Sequence, residues 1–367
     1  MDVMRAANAR QAAQGDVLHL EVGQPATPAP QAVLAAAQRA LGCDRLGYTD
    51  ALGLPALREA IAGWYRHRYG LAVPPERIVV TTGSSGGFLL SFLAAFDPGD
   101  RVALVAPGYP AYRNILKAVD CEPVDLPAGP ENRFQIEAAM LDRLQQAVQG
   151  LIIASPSNPT GTMLATAELA ALAQWCRQRG VWLVSDEIYH GISYIGPAQT
   201  ALAVSDDVIV VNSFSKYFSM TGWRLGWIVV PPAMVRAVEC LAQNLFISPP
   251  TLSQLAALAV FDCEPELDAN VACYARNREL LLEQLPKAGF DRLAPADGAF
   301  YIYADIAALS DDSRALARRL LDETGVAVTP GVDFDPIRGH RYLRFSFAGA
   351  TADMAEAARR LIAWRSR

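Results

Sequence analysis

The 367-residue sequence predicts an α/β fold, with a large domain at residues 31–250 and a smaller α+β domain assembled from residues 1–30 and 251–367. Two observations carry this reading. Between residues 78 and 230, short continuous apolar runs alternate with segments of helical length, the pattern of strands buried on both faces by crossover helices. Past residue 250 that rhythm is lost, and a long helical region gives way to separate strands and helices. A composition of 52 % apolar and 19 % charged residues is that of a globular chain. The net charge of −6, without a basic run, argues against nucleic acid as the main partner. No apolar run reaches the ~18 residues of a membrane span.

Residues 1–15 read as a short polar helix holding Asp2, Arg5 and Arg10, without the apolar stretch of a signal peptide. The run 17–22 ends in Gly23-Gln24-Pro25 and passes into a loop, so Gly23 on spacing alone is an ordinary strand-ending glycine. An Ala-rich helix covers 31–42, Tyr48 sits in a Gly-flanked loop, and a helix spans 55–69. A strand at 78–82 meets Gly83-Ser84-Ser85-Gly86-Gly87, followed by a helix at 88–96. Strand, Gly-rich turn and helix start form a cradle for an anion, because free amides and the positive helix end point the same way. After a strand at 101–106, a helix opens around Tyr109 and Tyr112; a strand at 122–126 and a helical stretch within 136–148 carry no evident chemistry. The buried strand 151–155 runs into the turn Asn158-Pro159-Thr160-Gly161, then a helix at 166–179. The next apolar strand ends at Asp186, a carboxylate that needs a partner there or caps a helix. Strands follow at 208–211 and 228–230, a helix at 234–245, a break at 246–250, and helix to about residue 285. The tail reads as strand 300–303, helix 314–323, strands 326–329 and 342–347, and helix 353–364.

Only three of the 32 lysine and arginine residues are lysines: Lys117, Lys216 and Lys287. Where charge alone is wanted, this chain uses arginine. A lysine amine, unlike a guanidinium, can lose its proton and form an imine. Lys216 follows the apolar strand 208–211, at the strand end where open α/β sheets bind ligands. Alone it is equally a solvated surface lysine. Arg224 follows in Gly222-Trp223-Arg224-Leu225-Gly226, and with the Ser213 hydroxyl it offers a planar cation and a neutral donor to a phosphate. An imine-forming lysine beside a phosphate site points to pyridoxal phosphate. Arg344 falls between apolar residues on a buried-looking strand, where an unpaired cation is costly; Arg341 is the exposed alternative.

The pattern Ser213-Phe214-Ser215-Lys216 with Gly222-Trp223-Arg224-Leu225-Gly226 resembles the fold-type-I pyridoxal-phosphate enzymes, in the class I/II aminotransferase branch of the aspartate aminotransferase superfamily. The resemblance spans residues 17–364 and implies a mostly parallel seven-stranded sheet flanked by helices. It further implies that Lys216 holds the cofactor as an imine and moves the substrate proton. Asp186 would pair with the ring nitrogen, and Asn158 and Tyr189 with the phenolic oxygen. Gly83, Ser84, Ser85, Ser213 and Arg224 would hold the phosphate. Tyr109, where Trp or Phe is common, would stack on the ring, a packing tyrosine being the alternative. Gly23, Asn158 and Arg344 would meet the substrate, Arg344 through its α-carboxylate. Tyr48 would reach the partner's phosphate in a homodimer.

The implied reaction passes an amino group from an L-amino acid to a 2-oxo acid. The competing reading is a carbon–sulfur β-lyase. Such lyases often carry His-Asn-Pro and an aromatic where this chain has Ser157-Asn158-Pro159-Thr160. A binding-only relative would lack Lys216. No motif supplies a second arginine for a distal carboxylate (Arg5 and Arg10 are unsupported), which favours a neutral or aromatic donor with 2-oxoglutarate or pyruvate as acceptor. His19, His67, His190 and His340 show no metal-ligand spacing, and His190 reads as a supporting or solvated residue. The six cysteines form no Cys-x-x-Cys pair, which fits free thiols in a reducing cytoplasm.

Overall fold

Thirteen strands and twelve helices make up the computed structural model, which describes residues 2–366. The strands are β1 (Leu18–His19), β2 (Ile78–Thr81), β3 (Arg101–Ala106), β4 (Glu122–Pro127), β5 (Gly150–Ala154), β6 (Trp182–Asp186) and β7 (Val208–Ser213). They continue with β8 (Gly226–Val229), β9 (Arg292–Leu293), β10 (Tyr301–Asp305), β11 (Val326–Ala327), β12 (Thr329–Pro330) and β13 (Tyr342–Ser346). The first helices are α1 (Asp2–Gln14), α2 (Gln31–Cys43), α3 (Pro55–Tyr69), α4 (Gly83–Ala95), α5 (Pro110–Ala118) and α6 (Ala138–Leu141). The remainder are α7 (Thr166–Arg179), α8 (Val235–Leu245), α9 (Thr251–Ala257), α10 (Glu264–Gln284), α11 (Ser313–Thr324) and α12 (Thr351–Arg365).

Seven strands form one sheet in the order β2-β8-β7-β6-β5-β3-β4, and β8 alone runs against its neighbours. The protein is therefore α/β with a mostly parallel seven-stranded sheet. Its central strands are buried along their whole length, as the continuous apolar runs require. A four-stranded antiparallel sheet, β12-β13-β10-β9, carries the C-terminal part. The N-terminal segment returns to this part of the chain, where β1 pairs in parallel with β11 in a separate two-stranded sheet.

Several elements depart from their sequence-based limits. Helix α4 begins at Gly83 rather than residue 88, so Gly86 and Gly87 lie inside it. Close approach explains Gly87: a Cβ there would come within 2.9 Å of Ile228 and 3.3 Å of Val211, on the sheet beneath. The stretch expected as a helix within 136–148 holds only the four residues of α6. The region after 250 is not one helix. It divides into α9, a 3-10 turn at Val260–Asp262, and α10, whose second residue is Pro265. Proline lacks an amide donor and is favoured at a helix start, so it separates the two. Among the described residues, no helix is long and apolar enough to cross a membrane, and all six cysteines are free.

Gly87→Val should lower stability by about 1–3 kcal/mol through overpacking against the sheet, seen as a lower urea midpoint. Gly86→Ala, whose Cβ meets nothing closer than 3.6 Å, should instead be neutral or stabilising by up to ~1 kcal/mol.

Candidate active site

Strands β5, β6 and β7 lie side by side, with Ala154 opposite Asp186 and Asp186 opposite Val211. Their C-terminal ends therefore bring Asp186, the last residue of β6, together with the loops bearing Asn158 and Lys216 at one edge of the sheet. Strands β2 and β3 open into α4 and α5 at the same edge. A cavity of about 210 Å³ occupies this point. Its walls include Gly23, Ser84, Ser85, Tyr109, Asn158, Asp186, Tyr189, Lys216, Arg224 and Arg344, all named from the sequence.

The Lys216 amine donates to the Gly23 carbonyl at 2.6 Å. Burial, and next the positive charges of Arg344 and Arg224 against the opposing pull of Asp186, draw it down to about 8. Asp186 is 3 % exposed. Burial pushes its acid up to about 6, opposed by the Tyr112 hydroxyl, which donates to Oδ2, and by the Ile188 amide, 3.0 Å from Oδ1. Ionised Asp186 is thus held by two donors and by the charge of Lys216.

Arg344 is 6 % exposed on β13. It donates to Asn158 Oδ1 at 3.0 Å, to the Glu21 carbonyl at 2.6 Å and to Thr329 Oγ1 at 3.1 Å. None of these acceptors is a carboxylate, and among the described residues its Nε has no partner. The guanidinium lies 4.3 Å from the Tyr301 ring centre and 4.8 Å from that of Phe334. The Tyr301 hydroxyl is 2.7 Å from that of Tyr189. It also fills the space that a side chain on Gly23 would need, which accounts for the glycine.

At the other end, α4 has no side-chain cap, so its first-turn amides stay available beside Ser84 and Ser85. The Arg224 guanidinium stands over Gly83, where a Cβ would collide with it. Both residues adopt left-handed backbone, φ +68° at Gly83 and +52° at Arg224. That conformation is strained for an arginine, and such strain gathers at ligand sites.

Three expected residues, Gly83, Ser213 and Tyr48, are not among those lining the cavity. The Ser213 hydroxyl donates to Leu225 O at 3.3 Å and accepts from Ser215 N at 3.0 Å, while Ser215 and Thr221 line the cavity. Tyr48 is 83 % exposed and outside the cavity. His190 is buried, not solvated: its Nε2 donates to Ser155 O at 3.0 Å, Tyr69 donates to Nδ1 at 2.7 Å, and burial pushes it down to about 3, leaving it neutral. Tyr112 and Tyr301 were not singled out as site residues by the sequence. The spacing of Tyr112 three residues after Tyr109, one helical turn into α5, was the available signal for the first.

Residues 15–361 match the family described as Aminotransferase class I and II. The chain is a class I and II aminotransferase. It moves an amino group from an amino acid to a 2-oxo acid. A valine–pyruvate aminotransferase of Mycobacterium tuberculosis is 54 % identical over 99 % of this chain and 95 % of its own. An arginine–pyruvate transaminase of Pseudomonas aeruginosa is 33 % identical over 94 % and 89 %. The crystal structure of an aminotransferase from Mycobacterium tuberculosis superimposes with a TM-score of 0.98 at 53 % identity, covering all of this chain and 96 % of that one. None of these relatives is named as a lyase.

The residues of this aminotransferase suit a phosphate-bearing pyridine aldehyde. The uncapped helix start with Arg224 would receive an anion, the buried Asp186 carboxylate would pair with a cationic ring nitrogen, and the depressed Lys216 amine would serve as the nucleophile. At pH 7 an amine of pKa about 8 is roughly one-tenth unprotonated, against about one part in three thousand for an ordinary lysine. In the ligand-free protein, amine-directed labelling read by peptide mapping should rise through a midpoint near pH 8 at Lys216.

Proposed function

We propose that this aminotransferase carries pyridoxal phosphate on Lys216 and passes the amino group of a neutral, apolar L-amino acid to pyruvate. One observation carries the substrate reading. The cavity walls hold three cations, Lys216, Arg224 and Arg344, and each has its own task, so none is left for a distal carboxylate. The valine–pyruvate relative, matched over nearly the whole chain, supports the same donor and acceptor.

When bound, the cofactor supplies an electron sink for the electrons of the substrate Cα–H bond. Arg344 binds the α-carboxylate; its Nε, which has no partner among the described residues, and its neutrally paired η nitrogens favour an anion. Lys216 would be the base that takes the proton from the substrate Cα and the acid that returns it. Asp186 keeps the ring nitrogen protonated, and Tyr112 keeps Asp186 ionised and oriented. Asn158 and Tyr189 would hold the phenolic oxygen, and Tyr109 would pack against the ring. The amides of Gly83, Ser84 and Ser85 hold the phosphate with Arg224, and Ser213 supports that site by fixing the Ser215 amide.

The working unit in this reading is a cytoplasmic homodimer in which Tyr48 reaches the partner's phosphate. Its loop is tied to the segment carrying Leu245 and Ile247 by Thr49 N to Ser248 Oγ at 3.4 Å and Thr251 Oγ1 to Gly47 O at 2.6 Å. Tyr48, Leu245 and Ile247 are all exposed, an apolar group suited to burial against a second copy.

The test is the visible spectrum of the purified holoenzyme, titrated with single amino acids. Valine and other neutral apolar donors should convert the band stoichiometrically to that of the amine form, and pyruvate should restore it. Aspartate should act at least 100-fold less efficiently. Regeneration of the band with release of pyruvate and ammonia would overturn the transfer reading. Lys216→Ala should lose turnover entirely. Arg344→Leu should raise KM for the amino donor by 100-fold or more, since a charge-assisted bidentate pair is lost.

A further inference from the structure

We infer that Tyr301 is a positioning residue for the reaction: its hydroxyl donates to Tyr189 and thereby aims the Tyr189 proton into the cavity. The inference rests on the reading above, in which Tyr189 donates to the cofactor's phenolic oxygen.

The argument begins with a count of protons. Tyr189 and Tyr301 are 3 % and 1 % exposed, and their hydroxyl oxygens lie 2.7 Å apart. Among the described residues each is the other's only hydrogen-bond partner. Two phenols bring two protons, and their mutual bond uses one. The remaining proton belongs to whichever hydroxyl accepts. The surroundings make Tyr301 the donor. Its ring carries the Arg344 guanidinium 4.3 Å from its centre, and positive charge there makes its hydroxyl more acidic. Burial raises both phenols, and Arg344 is the largest influence opposing it at Tyr301. The more acidic phenol is the better donor, so Tyr301 gives its proton to the Tyr189 oxygen. Tyr189 keeps its own proton for a ligand.

Packing fixes this arrangement. Tyr301 stands on β10, where it faces Ser346 of β13, while Arg344 lies two residues along the same strand. The Tyr301 hydroxyl is wedged against Gly23, whose carbonyl holds the Lys216 amine. A donor chain from Tyr301 through Tyr189 strengthens the final bond beyond what Tyr189 would give alone. The Arg344 contact adds a second consequence. A carboxylate bound at Arg344 neutralises the charge over the Tyr301 ring, weakens the chain, and so transmits occupancy of the carboxylate site to the phenolic oxygen.

The pH titration of the holoenzyme's visible absorption separates these effects. A hydrogen bond donated to the phenolic oxygen favours its ionised form, so losing that bond raises the titration midpoint. Tyr189→Phe should raise it. Tyr301→Phe, which keeps the ring and its contact with Arg344, should raise it in the same direction by about half a unit, roughly threefold in the equilibrium. The double variant should match Tyr189→Phe alone, because Tyr301 acts only through Tyr189. Isovalerate, a carboxylate without an amine, should raise the wild-type midpoint and raise that of Tyr301→Phe less. A Tyr301→Phe midpoint equal to wild type, or an additive double variant, would overturn the role of Tyr301. An equal isovalerate response in both proteins would overturn the transmitted effect. No movement in Tyr189→Phe would overturn the reading of Tyr189 itself.

Discussion

A buried guanidinium with no carboxylate among its hydrogen-bond partners holds this structure together at its working point. Arg344 draws the Glu21 carbonyl of the N-terminal segment, the Asn158 amide of the turn after β5, and Thr329 of β12 onto one cation. Stretches of chain as distant as 21, 158 and 329 therefore converge on β13. A cation taken from water needs this many neutral acceptors, and the faces of Tyr301 and Phe334 supply further compensation. An acidic partner would satisfy it more fully, but would also quench it. The arrangement keeps the positive charge available and makes the meeting of these segments a condition of stability.

Lys216 and Asp186 are under the same kind of tension. At neutral pH the folded protein opposes the charge of both, because burial disfavours each ion. The signs follow directly. Asp186 rises from 3.8 to about 6, so its contribution favours the folded state at low pH and is lost as pH climbs through that window. Lys216 falls from 10.5 to about 8, so its penalty is complete below pH 8 and is relieved toward 10.5. Between the two windows the ligand-free site bears both burdens. A ligand that offers Asp186 a cationic partner and removes the Lys216 charge relieves them together, so occupancy of the cavity and stability of the fold are linked.

Much of this could be read from the residues, for identifiable reasons. Lys216 stood out because the chain otherwise supplies positive charge almost wholly as arginine. Asp186 stood out because it ends an apolar strand and Arg344 because it interrupts one, places where a charge has few explanations. The parallel sheet followed from continuous rather than alternating apolar runs. Other features depend on direction and distance in space. The Ser213 hydroxyl turns back to Leu225 and Ser215, and nothing in a linear pattern gives a rotamer. Tyr301 is one of twelve tyrosines, and only the register of β10 against β13 brings it beside Arg344. The start of α4 was read too late because two glycines ordinarily weaken a helix. Here close packing on Ile228 and Val211 accounts for Gly87.

The scarcity of lysine has a practical side. Apart from Lys216, the side-chain amines are Lys117, near the end of α5, and Lys287, in the turn after α10, both exposed. Replacing these two with arginine retains the surface charge and leaves a protein whose sole lysine amine is the one in the cavity. Surface coupling, crosslinking or isotopic labelling through lysine would then address a single atom of the folded chain. A nitrogen-15 label introduced as lysine would give one ammonium or imine signal, assigned without mutagenesis to the reacting centre.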